Sequence, residues 1–370
     1  MTPVGSPVSQ QNGQVARKSR PPRMRSTWFV LAAGAAGAGV FVWTLGRAGY
    51  GQVLESIRSL GWVLLFVICL GGLRFAVRAL AWMTCVERPA RLAFRDAFAA
   101  FLAGDALGTL SPLGLLASEP TKVLLAAARL PPSDAVSSVA IENILYSLSV
   151  TLMIASGALV FMHSAAADGS AKVVSEVAVA GFLVGAFALA AIATTRTRPL
   201  ASLTRLTQKW PARERLTGVT QRVAQVEARV LGFAGGGSRR WLAAFGLETA
   251  YHVVAVLEVY VTLVCILPRD VQPTVLHAFL LEAMNRFVTV VFKFVPLRVG
   301  VDEAGTGLAT STLALGAVPG VTLALIRKTR ILCWTALGIV VLLRRGWSPH
   351  AGTVVDAPRR LQMPPRAGRR

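Results

Sequence analysis

Charge is scarce in this sequence, and acid is the scarcer sign. Only 15% of its 370 residues are Asp, Glu, Lys or Arg, with 18 acids against 39 basic residues. So few charges, with 54% hydrophobic residues and a mean hydropathy of +0.57, exclude an ordinary soluble domain and fit a polytopic membrane protein. Cysteine is nearly absent. Cys69, Cys85, Cys265 and Cys333 lie in or beside apolar segments without paired spacing, which argues against a disulfide framework or a cysteine metal site and for buried, inert thiols. Clustered acids are missing as well. Asp302-Glu303 is the one adjacent acid pair near a helix break, thin support for metal-assisted chemistry. The net charge of +21 is no nucleic-acid signature, because the basic residues gather in two tails and one central loop.

What is present is long apolar runs. A hydrocarbon core needs about 20 apolar residues per helix. Spans are expected at 27–45, 61–83, 135–161, 173–195, 241–267 and 319–343, the last interrupted by Arg327, Lys328 and Arg330. Two further segments, 95–130 and 274–316, are broken at Ser111-Pro112 and at Pro296. The fold class is therefore an all-α polytopic membrane protein. It has six to eight transmembrane helices, two broken or re-entrant segments and a possible inverted repeat. Residues 1–26 and 346–370 read as disordered tails flanking a transmembrane domain at 27–345, with repeat halves at 61–161 and 241–343.

Orientation follows from the loops. The N-terminal tail carries five basic residues, the 196–240 loop ten and the tail from 344 seven, so both termini and the central loop are expected in the cytoplasm. Within that loop Leu216, Val219, Val223, Val226 and Val230 recur at helical spacing. An amphipathic helix lying on anionic lipid and a helix packed under the membrane domain are both open.

The breaks share a phrase. "SPLGLLASEP" at 111–120 and "VPLRVGVDEA" at 295–304 both run Pro-Leu, five residues, then glutamate, reaching Glu119 and Glu303. Proline removes a backbone donor and ends a helix, and freed backbone groups must line protein or a wet cavity. Interrupted helices in inverted halves are the arrangement of transporters whose site lies at the midplane. Intramembrane charges mark function by default. Arg74 and Arg78 share a helical face, Glu282 and Arg286 are spaced to pair, and Asp105, Glu142, Glu248, His252, Glu258 and Lys293 add to the set. Glu142 and Glu258 also read as structural acids, and Lys328 as snorkelling to the interface. Glu248 and His252 stand in "ETAYH", which lacks the HExxH zinc pattern. The substrate-binding candidates are Arg74, Pro112, Glu119, Lys122, Arg286, Pro296, Arg298, Gly300, Asp302 and Glu303. No catalytic residue, metal or cofactor is expected. The cations suit a phosphate head group; the acids suit an amine or a driving proton.

The stretches "SPLGLLASEPTKVLLAAARLPPSDAVSSVAIENILYSLSV" and "FVPLRVGVDEAGTGLATSTLALGAV" resemble the two signatures of the lysylphosphatidylglycerol synthase/flippase transmembrane family (flippase-like or YbhN-like, with a hopanoid-associated branch). The resemblance covers about 27–345. Pro112, Glu119 and Lys122 fall on the first signature, and Pro296, Gly300 and Glu303 on the second. It implies a multi-pass protein of the bacterial inner membrane that handles or flips lipids. A short tail follows residue 345, so the aminoacyl-transfer domain of the full synthases is expected to be absent and lysyl transfer is not expected. The expected function is a lipid flippase or lipid-carrier translocator holding an anionic or zwitterionic head group between the broken helices. The alternatives are a membrane enzyme acting on a lipid-linked substrate, and a non-catalytic partner of a lipid or hopanoid synthesis complex.

Overall fold

The computed structural model describes residues 60–111, 114–163, 223–233, 238–293 and 295–344, with isolated positions in 51–58 and 173–185. The expected span 27–45, most of 173–195, both tails, Pro112 and most of the basic loop lie outside the described residues. Eight helices build the rest: α1 Trp62–Cys85, α2 Phe94–Leu110, α3 Gly114–Ala126, α4 Pro132–Met162, α5 Ser238–Ile266, α6 Val275–Val291, α7 Val301–Thr312 and α8 Ala317–Arg344. A 3-10 turn at Pro296–Arg298 precedes α7, and 223–233 forms a further helix. No strand occurs among the described residues.

Local chemistry sets the boundaries. Pro132 opens α4, where its missing N–H costs nothing. Thr274 caps α6, its Oγ1 accepting from the His277 amide at 3.1 Å. Pro120 sits inside α3 and removes one backbone bond there. At 1.5 Å per residue, α1, α4, α5 and α8 run about 36 to 46 Å, and α1, α4 and α5 are also apolar enough to cross a membrane, whereas α2, α3, α6 and α7 run only about 18 to 26 Å. α8 is one continuous helix through Arg327, Lys328 and Arg330.

The order long, short, short, long occurs twice, and the halves are inverted. α1 and α5 run antiparallel: Arg240 donates to the Thr84 and Val86 carbonyls, Arg78 faces Glu248, and Arg74 reaches Glu258. Repeat-related contacts swap accordingly. α2 packs on α8 and α6 on α4. Both contacts turn on a glycine. A Cβ at Gly338 would lie 2.4 Å from the Leu102 carbonyl oxygen, and one at Gly157 would lie 2.3 Å from the Ala283 Cβ. Leu102 and Ala283 are 181 residues apart, and so are Gly157 and Gly338. Gly157→Ala should therefore cost about 1 to 3 kcal/mol through overpacking. Adding Ala283→Gly should return most of it, since the two swap a methyl across one contact. Melting temperatures of the singles and the double in detergent measure this, and equal losses in Gly157→Ala and in the double would refute the contact.

Each short pair is a hairpin that enters and leaves at one end. Ala97 of α2 and Ala126 beside Leu130 of α3 share one apolar cluster with Trp82, Cys85, Ala135 and Ala244. Ala278 of α6 and Ala309 beside Leu315 of α7 share the other, with Val67, Leu263 and Leu323. Each short pair thus folds back on itself within its own half of the bundle. Apolar clusters close both ends, and the charges lie between them.

Helix 223–233 packs beneath the first cluster through Val230 and Phe233, and Arg229 pairs with Asp134. For its described part this favours a helix docked on the protein. The cysteines are unpaired, as the sequence implies, but Cys69 is exposed on the outer face of α1 and only Cys85 is buried. An apolar helix turns one side outward, so a thiol in such a run is not thereby interior.

Candidate functional site

The intramembrane charges gather into one buried network of three parts. The first is rich in arginine. Arg74 Nη1 and Arg330 Nη1 both lie 3.1 Å from Glu258 Oε2. Arg286 pairs closely with Glu282, one turn away on α6, and Arg327 Nη2 meets the same carboxylate at 3.0 Å. Tyr251 joins the two groups. Its hydroxyl oxygen accepts from Arg74 Nη2 at 2.9 Å and from Arg286 Nη1 at 3.1 Å. Its ring lies 4.6 Å from the Arg74 guanidinium carbon and 5.0 Å from that of Arg286. Four guanidiniums thus face two carboxylates. Arg74 Nε, Arg286 Nε, Arg327 Nη1 and Arg330 Nε are buried without a hydrogen-bond partner.

The second part is rich in acid. Arg78 pairs closely with Glu142 and lies 3.8 Å from Glu248, while the Tyr146 ring covers its guanidinium at 3.8 Å. Lys122 Nζ is 2.9 Å from Glu119 and 3.9 Å from Glu142. Asn143 Nδ2 donates to Glu119. Here two cations meet three acids. Asp105 on α2 lies within electrostatic range of Arg78, Lys122, Arg330 and Arg298.

The third part is the turn after α6. Leu297 and Arg298 hold φ of 51° and 46°, left-handed values that cost a side-chain-bearing residue energy, and Gly300 follows at 83°. This folding back starts α7 inside the bundle. The Gly300 amide donates to Glu303 Oε2 at 2.7 Å, and Lys328 lies 2.6 Å from Glu303 Oε1. Arg298 Nε binds Asp302 Oδ1 at 3.0 Å. Lys328 therefore points inward to an acid and does not snorkel, because Glu303 and the Arg298 carbonyl offer it partners within the protein.

The structure brings Arg74 and Arg286 together on one phenol oxygen, and sets Glu119 beside Lys122. Glu119 and Glu303, alike in sequence context, do not meet and differ in setting. Glu303 lies in the first turn of α7 and holds that helix's own N-terminal amide, whereas Glu119 is the sixth residue of α3. Gly300, Arg298 and Asp302 shape the turn that Pro296 begins; Pro112 is outside the described residues. The Glu248 and His252 side chains take different partners, His252 Nε2 lying 3.1 Å from Ser149 Oγ. A cavity of about 140 Å³ opens elsewhere, under helix 223–233 between Cys85, Ser137, Arg229 and Arg240, and its lining shares no residue with the network.

Sequence reasoning passed over Tyr251 and gave Arg327 and Arg330 no role in the site. For Tyr251 a signal existed: it stands between Glu248 and His252 on the helix that carries Glu258, in a chain with only four tyrosines.

An inverted pair of four-helix halves, each with a broken hairpin and charges buried between them, narrows the comparison. The family model described as the lysylphosphatidylglycerol synthase TM region matches residues 30–343, both halves and the whole network. The chain belongs to this family. No curated protein and no solved structure matches it. As a member of the lysylphosphatidylglycerol synthase transmembrane family it is a membrane protein linked to lipid modification or translocation.

Proposed function

We propose that this protein moves a phosphate-bearing lipid head group across the membrane, holding it in the arginine-rich part of the network, and that it translocates lipid without chemically modifying it. The observation that carries the reading is the charge imbalance around Tyr251. Four buried guanidiniums share two carboxylates and leave four N–H groups unbonded, an arrangement that costs energy until an anion supplies acceptors. Arg74 and Arg286, whose forks meet at one phenol oxygen, are the first ligands for a phosphate oxygen, and displacing that hydroxyl frees both. The apolar clusters at the two ends act as gates, opening alternately as the halves rock about the α1–α5 seam. Arg229, Arg239 and Arg240 at that end, with the basic loop before them, support a cytoplasmic side there in an inner membrane.

Reconstitution tests it. Liposomes carrying labelled phosphatidylglycerol, phosphatidylethanolamine, polyprenyl phosphate or a phosphate-free hopanoid are compared with protein-free vesicles. Protein-dependent exchange of the phosphate-bearing lipids, with the hopanoid unmoved, is expected. Equal exchange of the hopanoid, or no exchange of any, overturns the proposal.

A further inference from the structure

We propose that the carboxyl pair Glu142 and Glu248 is a proton site, and that it takes up one proton when an anionic head group binds the arginine-rich part of the network. The inference rests on the lipid-moving reading and adds what accompanies the lipid. Glu248 is fully buried, and neither of its oxygens has a hydrogen-bond partner. Glu142 is 1% exposed, and its Oε2 is likewise unbonded. The two acids face the same guanidinium, that of Arg78. A proton between them supplies the missing bond and removes one of two like charges held close in a dry site.

The elements packed around the pair each supply charged or polar groups, and the turn after α6 adds Lys293, in range of Glu119, Lys122 and Arg78. α1 brings Arg78 and Cys85, and α2 brings Asp105. α3 brings Lys122, itself held by Glu119. α4 contributes Tyr146 and α5 contributes Tyr251, whose rings lie 3.8 and 5.7 Å from the shared Arg78 guanidinium carbon, and α5 also brings Arg240, in range of Cys85. None of them donates a hydrogen bond to Glu248.

Charge balance ties this site to the other one. Arg78 and Lys122 face Glu119, Glu142 and Glu248, an excess of one acid, with Asp105 and Lys293 in range of the same two cations. A phosphodiester entering the arginine-rich part offsets positive charge that otherwise holds the Glu142–Glu248 pair ionised, and a proton on that pair offsets the added negative charge, so head group and proton stabilise each other's binding. By reciprocal linkage the lipid raises the proton affinity as much as the proton raises the lipid affinity.

The test uses the purified full chain and phosphatidylglycerol in nanodiscs. Titration calorimetry in two buffers of different ionisation enthalpy should show uptake of about one proton per head group bound. Apparent affinity should fall about tenfold per pH unit through the alkaline range, the slope of one linked proton. Glu248→Gln and Glu142→Gln, each checked for an unchanged melting transition, should flatten that slope. Wild-type slope and proton uptake in both variants overturn the proposal. In liposomes, a pH difference of one unit should shift the steady-state leaflet ratio of phosphatidylglycerol about tenfold in the wild type and not in Glu248→Gln. Exchange indifferent to the gradient overturns proton coupling while leaving lipid movement intact. Proton uptake on binding without any exchange upholds the proton site and sinks the transport reading instead.

Discussion

Glu282→Ala should be among the most damaging single substitutions in the protein, lowering stability by about 3 to 5 kcal/mol, the usual cost of stranding buried charge. Arg286 and Arg327 meet on this one carboxylate, from α6 and α8, so its loss leaves two interior guanidiniums without a counter-charge. Combining it with Arg327→Met should recover a large part, because the second change removes one stranded charge and leaves an apolar group of similar volume. Thermal melting in one detergent for wild type, singles and double measures both quantities. A Glu282→Ala protein melting with the wild type would show that the three side chains are not held together.

Arg74→Ala and Arg286→Ala should behave differently, and the difference separates a ligand site from an internal brace. Glu258 keeps Arg330 when Arg74 is lost, and Glu282 keeps Arg327 when Arg286 is lost. Neither substitution orphans an acid, so melting should shift little. Binding of phosphatidylglycerol should weaken by about 1.5 to 3 kcal/mol, roughly ten- to a hundred-fold, for each charge-assisted bond removed. Lysine at either position should restore only part, since it offers a point charge where the guanidinium offers a planar fork. Arg298→Ala makes the contrast, because it leaves Asp302 with Lys328 at 3.8 Å alone and should cost stability more than affinity. If Arg74→Ala and Arg286→Ala melt early while binding lipid normally, these arginines are braces and the head-group site lies elsewhere.

How far the sequence reached depended on the range of the interaction. Long apolar runs and prolines act locally, and the spans at 61–83, 135–161 and 241–267 lie close to α1, α4 and α5 as folded. The pairing of Glu282 with Arg286 was legible because a helix sets four-residue neighbours face to face. The match of Glu119 with Glu303 was a matter of spacing. It did not show that one side chain would cap its own helix while the other bonded Asn143 on a different one. The partners of Arg74 were out of reach altogether, since antiparallel packing of α1 on α5 decides them and nothing within either helix announces it. The inward turn of Lys328 was missed for the same reason: its acid sits on α7.

The seam between α1 and α5 also bears on how the chain is made. Arg78 finds Glu142 within its own half, but the partner of Arg74 lies 184 residues downstream. At the ordinary pace of synthesis, about 5 to 20 residues per second, roughly 10 to 40 seconds separate the two. Through that interval a guanidinium in an apolar helix has no acid from its later partner, at an insertion cost of about 2.5 to 3.5 kcal/mol for a central arginine. The first half is thus left waiting in the membrane, and its settled place there is fixed only when α5 arrives to neutralise it.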